Sequence, residues 1–238
     1  MSQNSEIRAR ITKNTEVLIR ATKPEVNLTE PLYAINWFST KVEWLYHLYN
    51  FLAARSVLKI GGLPYFKASV GETIIDDKGS GRRDLLLIVR YPSGEKFKSM
   101  MESTYFKLVS VFRMFAVRKF TFGFTHKIDA ESASQKSDDL YYAIHYFKTD
   151  DDSAGFISKI KELLPLTIVI KYSGCTTAYL LSQEKGKEAR QVPHLMSGLV
   201  VLQAPTKEGL LTLFSSAEYI NLLQHSDNNF ISLLNRIF

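Results

Sequence analysis

The chain has one cysteine, Cys175, among its 238 residues. No disulfide can form within it, which fits a reducing compartment. Long apolar runs are missing as well. Leu-Leu-Leu-Ile-Val at 85–89 is among the longest, and a bilayer span needs roughly 20 residues. The opening MSQNSEIRAR lacks the apolar core of a secretory signal, and Glu6 and Glu16 run against a transit peptide. These absences predict a soluble, cytoplasmic protein without membrane contact. Metal and cofactor signatures are missing too. His47, His126, His145, His194 and His225 show neither HxxxH nor HExxH spacing, and Cys175 has no CxxC mate. Gly79-Ser-Gly81 has neither the P-loop nor the dinucleotide-binding spacing and reads as a turn, and no G-x-S-x-G elbow occurs. No cofactor and no metal are expected. A haem needs only one histidine, but no context favours it.

What is present is an ordinary globular composition, 45% hydrophobic and 23% charged, which argues against general disorder. The net charge of +6 is uneven. Residues 1–127 hold 20 basic and 11 acidic side chains, and residues 128–238 hold 10 and 13. A basic half can attract anions or nucleic acid, or it can complement the acidic half of its own molecule.

The strongest signal is a repeat. YAINWFST at 33–40 returns as YAIHYFKT at 142–149, with five of eight letters shared. In the first copy, 32–38 reads as a strand. Thr40 and Glu43 form a capping box, and Val42, Leu45, Tyr49 and Leu52, with Leu48, make a helical stripe ended by Gly61-Gly62. A strand near 65–75, a polar turn at 76–84 and the aliphatic strand 85–91 follow. Pro92-Ser93 stops that strand. A helix carrying Phe97 is interrupted near Ser103 and resumes through Tyr105, Leu108, Phe112 and Phe115. The strand 120–124 places Phe120, Phe122 and Phe124 on one face. The order is βαββαβ, the ferredoxin-like unit.

A polar linker at 129–139 separates the copies. The second has strands at 141–147, 167–172 and 196–204, with Pro205 matching Pro92 and Tyr219 matching Tyr105. Its last helix is expected to run on through Leu222, Leu223, Phe230, Leu233 and Leu234, so the copy lacks a fourth strand of its own. The predicted division is an N-terminal arm at 1–30, a first repeat at 31–128, the linker, and a second repeat at 140–238. The arm contains a strand at 15–22. That strand either completes the second repeat or stays free for a partner.

Residues 82–109, RRDLLLIVRYPSGEKFKSMMESTYFKLV, carry a resemblance to the dimeric α+β barrel superfamily. They are most similar to a family of small bacterial domains of unknown function, related in fold to the antibiotic-biosynthesis monooxygenases. The matching features are the Tyr91-Pro92-Ser93 step and the Glu102-Ser-Thr-Tyr105 break, with Ser216-Ala-Glu-Tyr219 in the second copy. Both breaks lack the family's proline. The resemblance implies half-barrels that pair through their sheets. A tandem chain would then be an α+β protein whose two repeats close one barrel within a single molecule. Such barrels host oxygenases, isomerases, haem enzymes and proteins with no known reaction, so the fold does not fix the function.

The candidate pocket residues are polar groups set among aromatics: Asn36 and His145, equivalent in the two first strands, Arg90 at a strand end, and Tyr105 and Tyr219 at the helix breaks. None is assigned a catalytic role, and each has a purely structural alternative. Two readings compete. One is a binding or structural barrel for a small apolar or aromatic ligand, a protein partner or a second copy. The other is a cofactor-independent monooxygenase or isomerase acting on an aromatic or polyketide-like molecule. Nucleic acid is not an expected partner: the third strand is aliphatic where RNA-recognition modules carry stacking aromatics. Binding of nucleic acid through the basic N-terminal half stands as a further alternative.

Overall fold

The computed structural model describes residues 16–20, 29–77, 83–129, 140–149, 152–182 and 196–237. The first repeat consists of β2 (Leu32–Thr40), α1 (Glu43–Lys59), β3 (Leu63–Asp76), β4 (Leu85–Tyr91), α2 (Gly94–Glu102), α3 (Thr104–Ala116) and β5 (Val117–Asp129). The second repeats the order with β6 (Tyr141–Lys148), α4 (Ser153–Glu162), β7 (Val169–Ser182), β8 (Gly198–Ala204), α5 (Lys207–Ser215), α6 (Ala217–Leu223) and β9 (Asn228–Arg236). Both are βαββαβ units, the first as predicted and the second with the last strand that the sequence reading leaves out.

Each unit forms a four-stranded antiparallel sheet, in order β5-β2-β4-β3 and β9-β6-β8-β7. The long strand β3 pairs with β9 along its second half, and β7 pairs with β5. Eight antiparallel strands therefore close into one barrel with the helices outside. Closure leaves no edge between the units to attract a foreign strand.

Alternation assigns the two faces. Tyr33, Ile35 and Trp37 of β2 point into the barrel with Tyr142, Ile144 and Tyr146 of β6. The interior is packed with rings: Trp37 meets Phe230 at 5.5 Å between centroids, and Tyr33 meets Tyr172 at 5.5 Å. The buried Tyr172 hydroxyl shares a short hydrogen bond with Thr125. The even-numbered residues of β2, and the odd-numbered ones of β6, face the helices.

The expected missing strand is corrected by the structure. Residues 228–236 are strand β9, lying between β3 and β6. Six of the nine residues of β9, Asn228–Ser232 and Leu234, are buried, so both faces are covered along most of its length. A strand enclosed in this way loses its two-residue alternation, and Phe230, Leu233 and Leu234 then imitate helical spacing. Glu16–Arg20 is a strand, β1, as expected, and it pairs antiparallel with the second repeat. It does so at Ala178–Ser182 of β7, beyond the β8 pairing, and not as the fourth strand. Residues 78–82 of the polar turn predicted at 76–84, and 130–139 of the linker predicted at 129–139, lie outside the described residues.

Helix α1 also departs from expectation at its start. Val42 occupies the N-cap without a side-chain bond. The free N–H groups of Lys41 and Val42 instead reach Ala116 O, at 2.8 and 3.3 Å. Its end is as predicted. Gly61 adopts φ +79°, and Gly62 N–H returns to Val57 O at 2.9 Å, a left-handed cap that glycine adopts without strain.

Candidate functional site

The space between sheet and helices differs between the two repeats. In the second the space around His145 is filled, and a pocket of about 370 Å³ lies instead between the end of α4 and α5, lined by Leu163, Ile168, Leu213 and Ser216. His145 on β6 is registered with Val200 of β8 and Ile231 of β9, and it is wholly enclosed. Asn229 donates from Nδ2 to Asp77 at 2.9 Å, so its Oδ1 accepts from His145 Nε2–H at 3.0 Å. His145 Nδ1 is left to accept from the Tyr219 hydroxyl at 2.8 Å. Every ring atom of His145 that can form a hydrogen bond has a partner. Burial lowers its pKa from 6.5 to about 4, only partly offset by the Asn229 bond and Asp77, so the ring is neutral at pH 7. Phe147 and Phe156 close the rest of the space, their ring centroids 4.5 Å apart.

In the first repeat the equivalent residue is Asn36, registered with Leu87 of β4 and Phe122 of β5. Its Nδ2 donates to Leu87 O at 3.2 Å. Leu87 is in turn registered with Lys67 of β3. Asn36, Leu87 and Lys67 thus form a row across three strands on the helix-facing side. Above this row lies a cavity of about 310 Å³. Helix α1 contributes Tyr46, Tyr49 and Asn50. Phe97, Met100 and Arg113 come from α2 and α3, and Phe38, Phe120 and Phe122 from the sheet.

The cavity is apolar, with a few polar groups of consistent character. The Tyr46 hydroxyl is buried and has no partner at hydrogen-bond geometry. Burial raises its pKa to about 12, although the Asn50 amide stands near enough to oppose the shift. Lys67 is half-buried, its ammonium 5.4 Å from the Tyr46 ring centre, and desolvation lowers its pKa. Arg113 lies 4.7 Å over the Phe120 ring. The described lining holds two cationic side chains and no carboxylate.

The five residues singled out from the sequence do not converge. His145 and Tyr219 meet, but in the filled space of the second repeat. Asn36 lines the cavity of the other half. Arg90 is exposed, on the barrel-facing side of β4 near its end. Tyr105 is 41% exposed, and its hydroxyl donates to Leu52 O at 3.2 Å. Tyr105 and Tyr219 are also not equivalent. The N-caps Ser103 and Ser216 accept from Phe106 N and Tyr219 N, so Tyr219 matches the buried Phe106. The sequence reading missed Tyr46, Asn50, Lys67 and Arg113. Among them only Lys67, a lone cation inside a β-rich stretch, carried any signal. Among the described residues, no group of three His, Cys, Asp or Glu stands close enough to hold a metal ion. No helix there is long and apolar enough to cross a membrane.

No family model and no curated protein matches the chain. Solved structures do. A candidate monooxygenase from Fusobacterium nucleatum superposes with a TM-score of 0.54 at 11% identity, over 88% of this chain and 94% of that one. An anthrone oxidase-like protein gives 0.49 at 11% identity, over 93% and 94%. A chlorite dismutase variant from Candidatus Nitrospira defluvii gives 0.46 at 10% identity, over 89% and 93%. The likeness to the first, at such low identity, is one of fold.

Proposed function

We propose that the first repeat binds a small aromatic molecule carrying a negative charge or an acidic hydroxyl, between its sheet and α1–α3. One observation carries this reading: the 310 Å³ cavity holds a buried Tyr46 hydroxyl, with only the Asn50 amide beside it, and two cations, with no carboxylate in its described lining. A buried hydroxyl without a partner costs about 1–3 kcal/mol, a cost that a ligand acceptor would remove. The apolar walls suit a flat ring system of about 15 non-hydrogen atoms. Lys67, beside Tyr46, suits its anionic end.

A catalytic reading of the same cavity rests on Lys67. Desolvation moves its pKa in the direction that eases loss of its proton, and only the neutral amine, not the ammonium that would hold an anionic ligand, could take a proton from an acidic C–H or O–H. That is the opening step for a cofactor-independent oxygenase or isomerase acting on an aromatic or polyketide-like substrate, and the fold likeness to a candidate monooxygenase agrees with it. We infer also that the two repeats arose by tandem duplication, with the space at the His145 position filled and that at Asn36 left open.

Calorimetric titration of 1-hydroxy-2-naphthoate and of neutral 2-naphthalenemethanol tests the binding reading. The acid should bind at one site per chain and more tightly than the alcohol. Lys67→Met should erase most of that preference, by on the order of tenfold. Equal affinity for acid and alcohol, unchanged in Lys67→Met, would refute it.

A further inference from the structure

Two helices of the first repeat turn bulky apolar side chains away from the sheet. On α1, Trp44, Leu48, Phe51 and Leu58 are 68, 38, 77 and 57% exposed. With Arg55 they recur at alternating steps of four and three residues, the a/d spacing by which one helix seats on another. On α3, Leu108, Phe112 and Phe115 are 64, 38 and 60% exposed. The two stripes adjoin, because α3 runs antiparallel beside α1: Ala116 O receives Lys41 N–H, and Tyr105 bonds to Leu52 O.

The patch measures on the order of 1,000 Å², against the few hundred that a monomer ordinarily exposes. It also matches one partner's share, about 800 Å², of a stable interface. The fold does not require such a face. The corresponding helices of the second repeat expose Ser158, Lys159, Lys161, Glu218 and Asn221, with Ile220 the one large apolar group exposed on them.

We propose that this face is a homodimer interface, with α1 packed antiparallel on α1 of a second copy about a twofold axis at Phe51. Phe51 then meets the partner's Phe51, and Trp44 meets the partner's Leu58. The antiparallel sense follows from Arg55. A parallel pairing would stack the two Arg55 guanidinium groups in the seam, whereas the antiparallel one separates them. The same arginine argues against a lipid surface, which would have to receive a cation in the middle of the inserted stripe.

Sedimentation velocity of the full chain across the micromolar range tests this. The expected species has twice the 27.2 kDa chain mass. Phe51→Asp should raise the dimer dissociation constant on the order of 100-fold while leaving the circular dichroism spectrum unchanged, since this side chain already faces solvent. Should that variant misfold, cross-linking decides. Phe51→Cys in a Cys175→Ser background should oxidise to a covalent dimer, and Lys159→Cys, on the outer side of α4, should not. A monomeric wild-type chain, or a dimer indifferent to Phe51→Asp with no Phe51→Cys cross-link, would overturn the proposal. So would a monomer that co-sediments with phosphatidylglycerol vesicles through Phe51.

Discussion

His145 and Asn36 occupy corresponding places in the two four-stranded sheets, and their surroundings give them different consequences. His145 is held neutral by burial, with a pKa near 4 against 6.5 in the unfolded chain. The unfolded state therefore takes up the proton first as pH falls. The contribution of His145 is fully present above pH 6.5 and is lost between there and pH 4. From these two pKa values the loss at pH 5 is about 2 kcal/mol. Urea titrations at pH 7.5 and pH 5 should show that difference in the wild type, and His145→Asn should shrink it. Tyr46 offers the opposite test. Tyr46→Phe deletes a buried hydroxyl with no partner beyond the nearby Asn50 amide. It should leave stability unchanged or raise it by about 1 kcal/mol, while weakening naphthoate binding. A hydroxyl retained at a cost to stability is what a binding role leads one to expect.

At the scale of elements, the helix breaks are set by serine. Ser103 and Ser216 each end one helix and cap the next, with Oγ accepting from Phe106 N at 3.2 Å and from Tyr219 N at 3.3 Å. Ser103→Ala and Ser216→Ala should each cost about 1 kcal/mol, and the double variant should cost the sum, measurable by chemical denaturation. The βαββαβ order, the breaks, the Pro92 and Pro205 steps and the Gly61 cap were all legible in the sequence, because each is written in local turn and cap chemistry. Two elements were not. Strand β9 is enclosed by neighbours from both repeats, a tertiary fact that removes its alternation. Helix α1 is apolar on both sides. Its stripe reads through Val42, Leu45 and Tyr49, whereas Tyr46, Ala53 and Ser56 are its buried positions and Leu48 faces outward. Periodicity could not separate the side that covers the cavity from the side that carries the proposed seam. Asn36 could be singled out as a polar residue in an apolar strand. Lys67 stands out only as a lone cation in a β-rich stretch, and its meeting with Asn36 depends on the register of three strands.

The whole molecule is one barrel made by two repeats that do not close alone. Its interior mixes Tyr33, Trp37 and Phe66 of one with Tyr142, Tyr172 and Phe230 of the other. The two should therefore unfold together. Near-ultraviolet dichroism and tryptophan fluorescence should give one coincident transition on heating, and two separate transitions would mean that the repeats stand independently. Within this shared frame the halves differ in what they enclose over their sheets, hydrogen-bonded rings around His145 on one side and an open cavity at Asn36 on the other. The most direct test is to plug that cavity. Ala53, buried in its wall, should be replaced by tryptophan and 1-hydroxy-2-naphthoate titrated into both proteins by calorimetry. One site per chain in the wild type, lost in a folded Ala53→Trp variant, is the predicted result. Equal binding by the two proteins would contradict it.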